Sequence, residues 1–290
     1  MRFKQFLEQE EWELDIDGDD KQPDDPDLSL LEGFRQNLSI IFERDLFLWR
    51  VSNLDDLALL SKVKGRTSDR QSVANSNLLM NIASQWKGFP RRTRSAFATQ
   101  DASHASDIFD GDLYMVIPAD NVKNYAVTRL DLNMSLTDGV YANRKKFAPI
   151  LTLAQRLMFI GLQSDDEFRH KLENVFDVFG AKFSAEGSSF NLRFVSVVDY
   201  FLMHEEDFYG DEDFKYILDQ LRIELKSRGF KSLKAVTAEI TPENLGVELY
   251  HSLHDVPVLT NSSNEIWFEG DYLAFTETKK YDSRWLKAQI

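Results

Sequence analysis

The period of the apolar residues changes twice along this chain, and that change most limits the folds open to it. In the middle the spacing is helical: Phe147, Ile150, Leu151, Ala154, Leu157 and Met158 fall on one face, as do Phe214, Ile217, Leu218, Leu221 and Leu225 ahead of Gly229. Between them Phe168, Leu172, Val175, Phe176 and Phe179 follow Ser164 and Glu167 in capping-box spacing and stop at Gly180. Leu31, Phe34, Leu38, Ile41 and Phe42 predict a further helix. Outside these helices the pattern suits strands. The apolar stretch Leu46-Phe47-Leu48-Trp49 predicts a strand that Arg50 ends, and others are predicted over residues 113–117, 125–130 and 190–198. Residues 265–268 and 272–276 predict a hairpin turning at Glu269, Gly270 and Asp271. Strands first, helices next and strands last lack the alternation of a doubly wound parallel sheet, so the expected class is α+β.

Composition narrows the function. With 43% of its 290 residues hydrophobic and 12% aromatic, the chain has ample material for a packed core. A formal charge of -14 repels phosphate backbones and makes duplex nucleic acid an unfavourable partner. The lack of cysteine excludes disulfides, zinc–thiolate sites, iron–sulfur clusters and a thiol nucleophile together, and suits a reducing cytosol. No apolar run reaches the roughly 20 residues a membrane helix needs, and the first residues turn acidic before any hydrophobic region develops, so neither a membrane span nor a secretion signal is expected.

Residues 8–27 carry eleven acidic side chains against one lysine, with Pro23 and Pro26 inside the run, and predict an extended, solvated segment. Asp15, Asp17, Asp19 and Asp20 do not make an EF-hand, because Pro26 stands where a bidentate Glu is needed. The expected organisation is an acidic leader over residues 1–32 and a single α+β domain over 33–290, with a mainly helical insertion at about 147–230.

Among the five histidines only His251 and His254 have helix-face spacing, and even with Asp255 nothing in that spacing completes a metal site, so no metal is expected. Glycines occur singly, which removes phosphate loops of the kinase and dinucleotide-binding types. The densest unusual region holds Arg66, Arg91, Arg92 and Arg94 inside an otherwise acidic protein. Guanidinium forks match phosphate oxygens, so these groups could hold a phosphate or diphosphate; equally, they could pair with the surplus carboxylates.

Three segments in a fixed order resemble the ADP-ribosyltransferases of the arginine–serine–glutamate kind. Leu48-Trp49-Arg50-Val51-Ser52 is similar to that family's first strand with its arginine. Ser95-Ala96-Phe97-Ala98-Thr99-Gln100, with the short helical segment up to Phe109 and the strand at 113–117, is similar to its serine-bearing strand and the short helix after it. Asn264-Glu265-Ile266-Trp267-Phe268 is similar to its late glutamate opening a strand. The resemblance spans residues 45–130 and 255–280 and implies a split β-sheet core with the helical middle as an insertion. It implies NAD as the substrate whose ADP-ribose is transferred to a host macromolecule. Breaking the nicotinamide–ribose bond builds positive charge on the sugar, and a carboxylate facing that charge stabilises the transition state. Glu265 would take this role. Arg50 would grip a phosphate or ribose, Thr99 or Ser95 would support the site by hydrogen bonding, Arg94 would add a cofactor contact, and Phe109 or Tyr114 would stack on nicotinamide. Ala98-Thr99-Gln100 replaces the family's Ser-Thr-Ser, and Ser263-Asn264-Glu265 replaces the Glu-x-Glu of arginine-specific members, so no acceptor specificity carries over.

The first ten residues, with Phe3, Phe6 and Leu7 on one face, resemble N-terminal segments of T4-like phage proteins carried inside the capsid. Leu30-Leu31-Glu32-Gly33 resembles the site cut by the prohead protease of that group. These resemblances imply a phage protein of the host cytoplasm, packaged in the virion, with a host protein or another phage protein as partner. They also fit a non-catalytic virion or host-interaction protein of the same fold, using the arginine cluster as a docking patch.

Overall fold

The computed structural model describes residues 28–52, 57–60, 80, 84–108, 111–139, 145–163, 166–167, 170, 193–208, 212–259, 263–276 and 283–288. The leader segment 1–27 and most of the helix expected from Ser164 to Gly180 lie outside the described residues.

The strands are β1 (Trp49–Ser52), β2 (Leu57–Leu60), β3 (Ala96–Ala98), β4 (Asp112–Pro118), β5 (Tyr125–Thr128), β6 (Val247–Tyr250), β7 (Glu265–Phe268) and β8 (Tyr272–Phe275). They form two four-stranded antiparallel sheets, ordered β1-β4-β8-β2 and β3-β7-β5-β6. The described helices are α1 (Arg35–Arg44), α2 (Ala102–Ile108), α3 (Leu132–Asp138), α4 (Ala148–Gln163), α5 (Arg193–Met203), α6 (Glu212–Ser227), α7 (Leu233–Glu239) and α8 (Ser283–Lys287). The chain is α+β, as expected.

Each face of the second sheet serves a different core. Ala96, Ala98, Tyr125, Val127, Ile266 and Phe268 pack with the first sheet and α1 in one cluster. On the opposite face Ala126 and Trp267 join the helical cluster of α4, α5, α6 and α7. The helical middle therefore covers a sheet face rather than standing apart. Its helices end by local chemistry: α6 carries Glu212 and Asp213 in its first turn and Lys226 in its last, matching the macrodipole, and Gly229 takes a φ of 78° just beyond it. Asp199 of α5 accepts hydrogen bonds from the Leu233 and Lys234 N–H groups at 2.6 and 3.1 Å, fastening α5 to the start of α7. Burial pushes the Asp199 carboxyl up despite those bonds.

Three expectations need correction. Of the strand expected at 190–198, residues 193–198 belong to helix α5, because Val197, Val198 and Phe201 bury one helical face against α4, α6 and α7; residues 190–192 lie outside the described residues. Packing there overrides the strand preference of the valines. Residues 265–268 and 272–276 do not form a hairpin: β7 pairs with β3 and β5, whereas β8 pairs with β4 and β2. Glu269, Gly270 and Asp271 instead carry the chain from one sheet to the other. Arg50 does not end its strand but is the second residue of β1. Residue 32, where the leader is expected to end, lies in a 3-10 turn, Leu28–Phe34, whose Leu31 is buried in the core.

Candidate functional site

The junction between the two sheets is built by Thr99, one residue past β3. Trp49 N–H donates to Thr99 O at 2.6 Å and Thr99 N–H donates to Trp49 O at 2.9 Å, which stitches the end of β3 to the edge strand β1. The Thr99 hydroxyl donates to Asn264 Oδ1 at 3.4 Å and accepts from Asp101 N–H at 3.2 Å. Asn264, nearly fully buried, also accepts from Gln100 N–H at 2.9 Å. The Gln100 side chain donates to Pro257 O at 2.8 Å and accepts from Leu259 N–H at 2.6 Å, pinning the approach to β7. The segments bearing Arg50, Thr99 and Glu265 are thus neighbours in space.

Their side chains hold different partners. In the register of the first sheet Arg50 lies opposite Tyr114, and Pro118 opposite Tyr272, so all four share one face. The half-buried Arg50 donates to Tyr272 Oη at 3.1 Å. Glu265 opens β7 on the face that carries Trp267, whose cross-strand neighbour is Phe97. Its Oε1 accepts from Arg92 Nη2 at 2.6 Å, and its Oε2 accepts from Leu132 N–H at 3.2 Å. The guanidinium of Arg92 lies 4.5 Å from the ring centroids of both Phe97 and Trp267. Exposure of the ion pair is low, 6% for Arg92 and 16% for Glu265.

The remaining expected site residues are scattered. Ser95 is fully buried and donates to Arg91 O at 2.8 Å, closing the 3-10 turn Arg92–Arg94 ahead of β3. Arg94 is exposed on that turn. Tyr114 is 1% exposed, so its ring offers almost no surface to a ligand. Phe109 and Arg66 lie outside the described residues. Arg91 is exposed, whereas Arg92 is withdrawn from any docking patch into its pair with Glu265. His251 lies just past β6 and meets Asn124 Oδ1 at 2.9 Å, while His254 is in the 3-10 turn Leu253–Asp255, so the two do not share an α-helical face. Among the described residues no three His, Cys, Asp or Glu side chains gather as they would around a metal ion, and no helix is long and apolar enough to cross a membrane.

No family model, curated protein or solved structure matches the chain.

Sequence reasoning missed Arg92 as the partner of Glu265, and it gave no role to Asn264, Phe97, Trp267 or Tyr272. A period-two signal for the aromatic face was present: with Ala96, Ala98, Ile266 and Phe268 turned to one core, Phe97, Glu265 and Trp267 must share the other face.

Proposed function

We propose that the chain is an ADP-ribosyltransferase-like protein that takes NAD as substrate and transfers its ADP-ribose to a host macromolecule. The bond between the nicotinamide nitrogen and the ribose breaks, the electron pair leaves with nicotinamide, and an acceptor nucleophile joins the ribose carbon while giving up its proton. Glu265 is assigned to stabilise the cationic sugar, Arg50 to hold a phosphate or ribose, and Thr99 to support the junction. The observation that carries this reading is the junction itself: Trp49 and Thr99 exchange backbone hydrogen bonds, and Thr99 meets Asn264 across 165 positions of sequence. The three family-like segments are neighbours there, within two antiparallel sheets compatible with a split-sheet core.

The test is incubation of the full chain with labelled NAD and host lysate. Label should enter a macromolecular acceptor, and Glu265→Gln should reduce incorporation by about a hundred- to a thousandfold, the usual effect of losing one preorganised electrostatic group. Undiminished incorporation in that variant would remove Glu265 from the assignment.

A second reading has its own observation. Glu265 is engaged by Arg92 in a largely buried ion pair, which suits a non-catalytic virion or host-interaction protein of the same fold. No incorporation by any form of the protein favours it.

A further inference from the structure

We infer that Glu265, Phe97 and Trp267 form a binding site for a planar organic cation, and that Arg92 is the chain's own occupant, a latch that the ligand displaces. The naming of a pyridinium-type ligand rests on the transferase reading; the site itself rests on geometry. A flat cation is held by a carboxylate at its edge and by aromatic faces. Arg92 has both, with Glu265 Oε1 at 2.6 Å and the two ring centroids at 4.5 Å. Phe97 and Trp267 are cross-strand partners with centroids 6.3 Å apart and an interplanar angle of 24°, so they present one continuous aromatic surface.

The carboxylate has one anchor besides Arg92, since Glu265 Oε2 accepts from Leu132 N–H at 3.2 Å; the Glu265 backbone is held separately, its N–H donating to Thr128 Oγ1 at 3.2 Å. Losing the guanidinium therefore leaves Glu265 aimed at the aromatic surface. Arg92 sits on a three-residue 3-10 turn held by other groups: Arg91 N–H donates to Glu269 Oε1 at 2.5 Å, and Ser95 Oγ donates to Arg91 O at 2.8 Å. These bonds do not use the Arg92 side chain, so the turn and β3 keep them when the guanidinium leaves Glu265. The two cations compete because both would draw on Glu265 Oε1, Oε2 being held by Leu132 N–H, and like charges so close repel. Removing the guanidinium alone leaves a largely buried anion short of its partner, which drives an external cation in.

The experiment uses the full chain and the N-methylnicotinamidium cation, a planar pyridinium without any phosphate, with binding followed by calorimetry and NAD turnover measured in parallel. Arg92→Met keeps the length and the contact with the rings but deletes the charge; it should bind the probe at least about tenfold more tightly than the unmodified protein. Adding Glu265→Gln to Arg92→Met should remove that gain, and Arg92→Lys should show a smaller one. Failure of folded Arg92→Met to gain affinity overturns the latch, whatever happens to NAD. A gain in affinity with no NAD turnover in any variant upholds the latch and sinks the transferase reading instead. Loss of turnover in Arg92→Met without any affinity gain makes Arg92 a positioning residue for Glu265 and overturns the latch alone. If near-ultraviolet circular dichroism shows that Arg92→Met has not folded, Arg92→Lys decides, and no gain there overturns the proposal.

Discussion

Asp101 converts the end of β3 into the start of α2. Its Oδ1 accepts from the Ser103 hydroxyl at 2.5 Å and from the Ser103 and His104 N–H groups at 3.1 Å each. The Ser103 hydroxyl first, then the His104 N–H, hold its carboxyl below the ordinary 3.8. Because the folded value lies below the unfolded one, the stabilisation is complete above pH 3.8 and is lost as pH falls through the folded value. Asp101→Ala should therefore cost about 1 kcal/mol at neutral pH, and the gap from the parent should narrow in acid. Urea unfolding at neutral and acid pH checks this; a gap independent of pH would remove the charged cap as its cause. This cap is readable from sequence because it is local. The partners of Arg50 and Glu265 are not, since Tyr272 and Arg92 lie 222 and 173 positions away, and no spacing rule reaches that far.

Helices α1, α4 and α6 were legible because each buries a single stripe at helical spacing. Strands are harder: β5 and β8 are buried at every position, so they show apolar runs without alternation. Local pattern also failed at residues 269–271, where a short glycine-bearing loop between strands reads as a hairpin unless the sheet of each strand is known. Gly270 has a φ of 147°, and a Cβ there would stand 2.6 Å from Val122 Cγ2. Asp271 O beside it accepts from Ala119 N–H at 2.9 Å, so the corner has little room to shift. Gly270→Ala should cost at least about 1–3 kcal/mol for the backbone conformation alone. Gly33→Ala is a suitable contrast, because nothing lies within 4 Å of its Cβ position. Equal urea midpoints for the two variants would mean that the corner yields.

In the whole molecule, the first and last described segments belong to the same core: Leu31 of the opening 3-10 turn, Phe275 of β8 and Leu286 of α8 are buried in a single cluster. The boundary at residue 32 was drawn from charge and motif, which carry no information about Leu31 reaching that core. The candidate site depends on the same long-range closure, and its coupling can be measured. Asn264 Oδ1 receives both the Thr99 hydroxyl and the Gln100 N–H, and Asn264 is 1% exposed, so water cannot readily replace either donor. Asn264→Ala should cost about 1–3 kcal/mol by leaving buried donors without an acceptor, and Thr99→Val should cost less, since it removes one of the two donors. If the hydroxyl acts through Asn264, the double variant should fall short of the sum of the singles by about 0.5 kcal/mol or more, the range found for contacting residues. Chemical denaturation of the four proteins measures this. Strict additivity would mean that Thr99 and Asn264 act independently across their 165 positions of separation, and the junction would rest on the Trp49–Thr99 backbone bonds, without a link to the Glu265 segment through the Thr99 hydroxyl.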